Sequence, residues 1–288
     1  MNKVKWPKFL ACALILAMSS VSLPARAAEK RPIEVIEDNS FLIEEAYNQE
    51  AGVVQHSFSA AYNSDSRRRG WSFNFTQEWP VFSQDHQISY TVPSYHFVEG
   101  SDRIHGLGDI TLSYRYQAFD EGELKPAFAP EFSLILPTGN RNRGTGDGVV
   151  GYQWALPFSK KLSSRFAMHA NLGVTYLPKV RARLGGSTGP LSPRRSLVSY
   201  NVGASGIFAV FSRFHLMLEW VGEFEESINE AGRATRAFQP ILSPGFRGAV
   251  VNEENLQVVV GAAAPIGLNR HADNHGALLY LSIEHKLF

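Results

Sequence analysis

The sequence predicts an all-β fold: a transmembrane antiparallel up-and-down β-barrel of about 12 strands, preceded by a short N-terminal amphipathic segment. Three observations carry this reading. Apolar and polar residues alternate in twelve segments, the connections between them are long and short in turn, and aromatic residues recur on one strand face at a membrane-edge spacing. No window of the mature chain holds eighteen consecutive apolar residues, so any crossing of a bilayer there is made by strands.

The alternation is plain in Ile110-Thr-Leu-Ser-Tyr-Arg-Tyr116. Ile110, Leu112, Tyr114 and Tyr116 point one way and Thr111, Ser113 and Arg115 the other, because successive strand side chains take opposite faces. Trp71, Phe73 and Phe75 alternate with Ser72, Asn74 and Thr76 in the same way. The twelve segments lie near 53–62, 70–79, 86–96, 108–118, 127–136, 149–158, 165–177, 197–210, 213–225, 238–250, 255–265 and 277–287. An even count suits a closed barrel with both chain ends on one side. Long connections follow the odd strands, at 63–69, 97–107, 137–148, 178–196, 226–237 and 267–276, whereas 211–212 and 251–254 are short.

Alternation alone also fits a β-sandwich. The aromatics separate the two. Phe166 and Tyr176 close the apolar face of one strand and Phe214 and Phe224 that of another, each pair ten residues apart. At a rise of roughly 3.3 Å per residue and a tilt of about 45°, ten residues cover about 23 Å along the membrane normal, close to the roughly 25 Å apolar band between aromatic girdles.

Three features strain the assignment. Pro130, Pro157, Pro240 and Pro244 fall within or at the ends of strands, where a missing N–H breaks the ladder, so bulges or shorter strands are required. In the last segment Leu279, Leu281, Ile283 and Leu287 share the lipid face, while Phe288 falls with Glu284 and Lys286 on the other. Residues 29–50 carry seven acids against Lys30 and Arg31. Within them, 41–47 reads as a short amphipathic helix, lying either in the lumen or in the periplasm.

Lys3, Lys5 and Lys8, an apolar run of about ten residues over 9–18, Pro24 and Ala25-Arg26-Ala27 form the layout of a secretory signal peptide, too short to span a bilayer. The predicted organisation is therefore a signal peptide at 1–27, an acidic periplasmic or lumenal segment at 28–50 and an outer-membrane barrel at 51–288. Removing 1–27 takes Lys+Arg from 28 to 24 against 27 acids, a net charge of −3, which makes nucleic acid an unsuitable partner. The single cysteine, Cys12, leaves with the peptide, so disulfides and thiolate chemistry are excluded.

From Gly106 onward the chain resembles the family described as "Putative MetA-pathway of phenol degradation". The residues that carry the resemblance are Gly106-Leu-Gly-Asp109, then Leu134-Ile-Leu-Pro-Thr-Gly139 ahead of a glycine-rich loop, then His169-Ala-Asn-Leu-Gly173. It implies an exported barrel and uptake of apolar or aromatic compounds. It brings no catalytic residues.

Nor do the residues suggest an enzyme. Barrel phospholipases place His two positions before Ser on one strand face, and none of the nine histidines has Ser there. His56 and Ser57 are adjacent and face opposite ways. The glycine-rich loop 139–148 lacks the Lys-Ser/Thr ending of a phosphate loop and reads as a mobile external loop whose Arg141 and Arg143 could meet lipopolysaccharide phosphates. No cofactor or metal is expected. The chemistry that remains is that of a pore wall, with Glu78, Asp109, Arg115, Glu131, His169, Asn171, Glu219, Glu223 and Arg247 as lining residues. With Glu284 and Lys286 included, six acids stand against three bases, an excess that favours cations. The reading is an outer-membrane channel or transporter for small solutes. Its partners are outer-membrane lipids and lipopolysaccharide, the barrel-assembly machinery and the solute. The alternative is a non-conducting adhesin or structural barrel acting through its long external loops.

Overall fold

The structure is a computed structural model, and it describes residues 38, 40–64, 68–100, 102–185, 189–272 and 275–287. The predicted signal peptide and Phe288 lie outside these residues. Twelve strands run in chain order: β1 (Val53–Ser64), β2 (Arg68–Val81), β3 (Ser83–Glu99), β4 in two pieces (Asp102–Leu107 and Ile110–Tyr116), β5 in two pieces (Ala127–Phe128 and Glu131–Leu136) and β6 (Gly151–Ser163). Then follow β7 (Phe166–Val180), β8 (Arg195–Phe211), β9 (Phe214–Ile228), β10 (Ala234–Glu253), β11 in two pieces (Leu256–Ala263 and Ile266–Gly267) and β12 (His275–Lys286). Each pairs antiparallel with the next, and β12 pairs with β1 from Val53↔Lys286 to Ser64↔His275. The sheet is a closed twelve-stranded barrel, as the alternation predicts.

The prolines explain the broken strands. Pro130 separates the two pieces of β5 opposite Pro157 of β6, where Ala129 N still donates to Pro157 O. Across from Pro244 of β10, β11 breaks at Ala264-Pro265, and Ala264 N donates to Pro244 O at 2.9 Å. Each missing N–H is thus met by an interruption in the neighbouring strand, which keeps the barrel closed.

The two faces of the wall have inverted polarity. Phe58, Phe73, Trp154, Leu172, Leu216 and Leu279 are 43–54% exposed on the outside, although each lies in a strand paired on both edges. Inside, Gln55, His215, Glu219 and Arg247 are fully buried. A water-soluble protein of this design would leave apolar side chains wet and enclose charge, whereas a barrel in lipid requires this arrangement. Aromatic pairs mark the band: Tyr62 with Trp71 and Tyr152 with Tyr176 towards the end carrying the long connections, and Trp79 with Tyr90 towards the other.

The predicted helix at 41–47 does not form. The segment is irregular, because its amides are spent on the barrel wall: Leu42 N donates to Glu219, Ala46 N to Ser159, Asn48 N to Gln117 and Gln49 N to Gln87. No i→i−4 ladder is left for them. Its apolar residues meet an apolar strip of the inner wall, where Phe41 packs on Ala167, Ile207, Ala209 and Met217, and Phe41 with Leu42 on Ala249, Val259, Leu278 and Tyr280.

Candidate functional site

The interior half at the end where β1 begins and β12 ends is filled by residues 38 and 40–50, held by side chains that alternate inward along their strands. On β9, Glu219 accepts Leu42 N through Oε1 at 2.7 Å. Arg247 of β10 donates to Asp38 O at 2.6 Å, and Tyr280 of β12 donates to the Asp38 carboxylate at 2.9 Å. On β7, the Asn171 amide, turned to satisfy its bonds, accepts Glu44 N at 2.8 Å and donates to Glu44 O at 2.9 Å, as a strand neighbour would. Ser40 and Ser205 hydroxyls meet at 2.8 Å. Gln49 bonds Gln87 through its amide and Gln55 through its side chain.

An ionic cluster lies on the β2–β5 side. Arg115 bonds Glu131 directly across the β4–β5 ladder at 3.1 Å and reaches Glu44 at 3.4 Å, while Glu78 accepts from Gln87 at 2.5 Å. Arg115 is 4% exposed, so its charge is neutralised by a wall residue and a segment residue together. At the rim, Tyr47 donates to Glu121 at 2.5 Å, and Glu121 also receives Lys161 N and pairs with Lys160. Partial burial pushes the Glu121 carboxyl up, and the bonds from Tyr47, Lys161 and Lys160 outweigh it, leaving the pKa below the usual carboxylate value.

The other half is shaped by Asp109, at the break in β4. Its Oδ1 accepts Gly139 N and its Oδ2 accepts Asp147 N, both at 2.8 Å. Thr138 Oγ1 accepts Ile110 N and donates to Gly108 O. Gly106-Leu-Gly-Asp109 and Leu136-Pro-Thr-Gly139 are therefore two halves of one clasp. Its glycines are steric requirements: a Cβ on Gly146 would stand 2.3 Å from Asp109 Oδ1, and one on Gly139 would stand 2.4 Å from Thr145 O. The loop 139–148, expected to be mobile, is pinned by these bonds, by Thr145 on Asn140 and by Arg183, which donates to Asn142. Nearby, Arg68 stacks over Phe97 at 3.6 Å.

Of the nine residues named from sequence, Glu78, Arg115, Glu131, His169, Asn171, Glu219 and Arg247 surround the segment, Asp109 forms the clasp, and Glu223 stands exposed in register with Asn201 and Gln239. Glu284 bonds Gln55, whereas Lys286 is exposed at the end of β12. Sequence reasoning passed over Gln55, Gln87, Ser159, Ser205 and Tyr280. All five share the inward parity of their strands and were open to the same rule, Tyr280 falling on the face of Glu284 opposite Leu279 and Leu281. It also missed a His–Ser pair, because His169 Nδ1 reaches Ser159 Oγ at 2.6 Å from the neighbouring strand. That hydroxyl accepts Ala46 N and is 1% exposed, so it is engaged in holding the segment. His56 faces outward and meets His285, with Nε2 atoms 3.2 Å apart.

Among solved structures, the chain is similar to the COG4313 outer membrane channel from Pseudomonas putida F1, at 14% identity and a TM-score of 0.64 over 83% of this chain and 97% of that one. It is also similar to the translocator domain of the autotransporter NalP from Neisseria meningitidis, at 11% identity and a TM-score of 0.53 over 83% and 90%, and to the NanC porin, at 8% and 0.50 over 81% and 100%. At these identities the likeness is one of fold. No curated protein matches the chain. The family match begins ahead of Gly106 and ends before the chain does, taking in the last residues of the lumen segment, β1 to β7 and both halves of the clasp. Over residues 46–182 the chain matches the family described as "Putative MetA-pathway of phenol degradation".

Proposed function

We propose that the protein is an outer-membrane channel for small solutes, with apolar or aromatic compounds as the class it passes, and that it performs no catalysis. The carrying observation is the inverted wall, apolar outside and polar inside, around a closed barrel of twelve strands. The lining residues in this reading are Glu78, Asp109, Arg115, Glu131, His169, Asn171, Glu219, Glu223 and Arg247. The strip that receives Phe41 and Leu42 gives an apolar solute a surface to follow when those residues leave it. Conduction then requires residues 38–50 to shift, which makes them a gate. A signal peptide at 1–27 and delivery by the barrel-assembly machinery complete the proposal. Arg141 and Arg143, on the pinned loop, would face lipopolysaccharide phosphates.

The filled lumen supports the second reading, a barrel that conducts nothing and acts through its external loops. Single-channel currents of the purified mature protein separate the two. The channel reading predicts brief openings in the full chain and steady ones of larger conductance after deletion of 28–50. Silence from both, with heat-modifiable β structure retained, favours the second reading.

A further inference from the structure

The outer wall at the end where β1 runs into β2 carries a patch that neither the lumen nor the solute path uses. Arg69 pairs with Val98, and Val98 with Arg103, so both arginines leave the lipid-facing side in one cross-strand row, two strand spacings or about 10 Å apart. Both are exposed. The next outward row, two residues nearer the membrane centre, is Tyr62, Trp71, His96 and His105. Tyr62 and Trp71 rings lie 5.3 Å apart, which places this row in the aromatic girdle. Among the described residues paired in either row none is a carboxylate; Glu99 and Asp102 belong to the alternate row with Arg68.

Below the girdle the wall changes shape. Across Leu279, Ala60, Phe73, Ser94 and Leu107 large and small side chains alternate from strand to strand. Small residues between tall ones leave a groove of about 460 Å³ on the lipid-facing side. One continuous surface thus offers two guanidinium groups, then polar rings, then an apolar trough.

We infer that this surface binds a phosphorylated, acylated glycolipid of the outer leaflet, the lipid A part of lipopolysaccharide. Charge complementarity and depth select the occupant. Arginine pairs bidentately with phosphate, Arg69 and Arg103 stand above the aromatic girdle where headgroup phosphates lie, and the trough begins one row below, where acyl chains begin. Residues 38–50 and the clasp take no part, so the inference is independent of the transport reading.

The test is native mass spectrometry of the delipidated mature protein titrated with bis-phosphorylated lipid A, with dephosphorylated lipid A and phosphatidylethanolamine as comparison ligands. Heat-modifiable migration confirms folding of each variant. Saturable binding of the phosphorylated ligand is expected, weakened about tenfold in the Arg69→Gln/Arg103→Gln double variant and weakened also in Ala60→Trp, which fills the trough. Arg236→Gln, an exposed arginine set over Tyr200 on a distant strand, should bind as the unaltered chain does. Equal affinity in the double variant, an equal loss in Arg236→Gln, or equal binding of dephosphorylated lipid A would each overturn the inference.

Discussion

Asp109 and Glu219 both point a carboxylate into the barrel and receive backbone amides, yet they hold different kinds of chain. Asp109 binds amides 30 and 38 residues away, in the loop that joins the neighbouring strand β5 to β6. Glu219 binds an amide 177 residues away, on a segment that enters the barrel ahead of β1. The first contact organises a local turn and is part of the fold. The second fastens a piece that takes no part in closing the sheet, because the ladder between β12 and β1 is made by strand residues alone. A contact of the second kind can open while the barrel stays closed, and a gate needs that property.

Substitutions sharpen this contrast in descending order of effect. Arg115→Ala should be the most damaging, because Glu131, only 9% exposed, would be left without its counter-charge and Glu44 would lose its wall partner; the expected cost is about 3–5 kcal/mol, read as a lower unfolding temperature in detergent. Asp109→Ala should cost about 2–4 kcal/mol, since two amides lose a charged acceptor. Its signature is proteolytic nicking within 139–148, with conductance properties of the lower lumen retained. Glu219→Ala should show the opposite pattern. About 1.5–3 kcal/mol of hold on the segment is lost, so the barrel keeps its heat-modifiable migration while the open fraction in single-channel records rises. If the two variants behaved alike, the division into fold contact and gate contact would fail.

The smallest effect is a pH dependence at the rim. Glu121 has a folded pKa below its ordinary value, so its contribution is fully present above the unfolded carboxylate pKa, near 4.3, and is lost as pH falls through the lowered folded value. Open probability should therefore be level at neutral pH and rise on acidification below that range. Tyr47→Phe, which removes the donor, should reproduce the acid behaviour at pH 7 and flatten the profile.

The same contrast explains what was legible in the sequence. All twelve strands were readable from alternation, because a wall with lipid on one side and polar contacts on the other imposes period two on each strand. The inward parity of Glu78, Arg115, His169, Asn171, Glu219 and Arg247 followed from that rule. Gly106-Leu-Gly-Asp109 and Leu-Pro-Thr-Gly139 stood out as patterns, since a clasp made over a short stretch of chain fixes residue types at fixed spacing. That the two patterns touch was not legible, because nothing in the spacing records a side chain crossing from β4 to the loop that follows β5. The hold on 38–50 left no local pattern at all. Its partners are single polar residues scattered over several strands, and its own periodicity resembled a helix because Phe41 and Leu42 face an apolar strip while Glu44 faces Arg115 of the wall. An extended segment lodged in a two-sided lumen mimics amphipathicity without helical hydrogen bonds.

The central claim is that residues 38–50 move to let solute through. Ser40 and Ser205 hydroxyls lie 2.8 Å apart, and the mature chain as predicted has no cysteine, so Ser40→Cys/Ser205→Cys would place a lone thiol pair between segment and wall, within reach of a disulfide. Single-channel currents should disappear when the pair is oxidised and return on addition of reductant, with each single-cysteine variant unaffected. Equal currents in the oxidised and reduced states of the cross-linked protein would contradict the account.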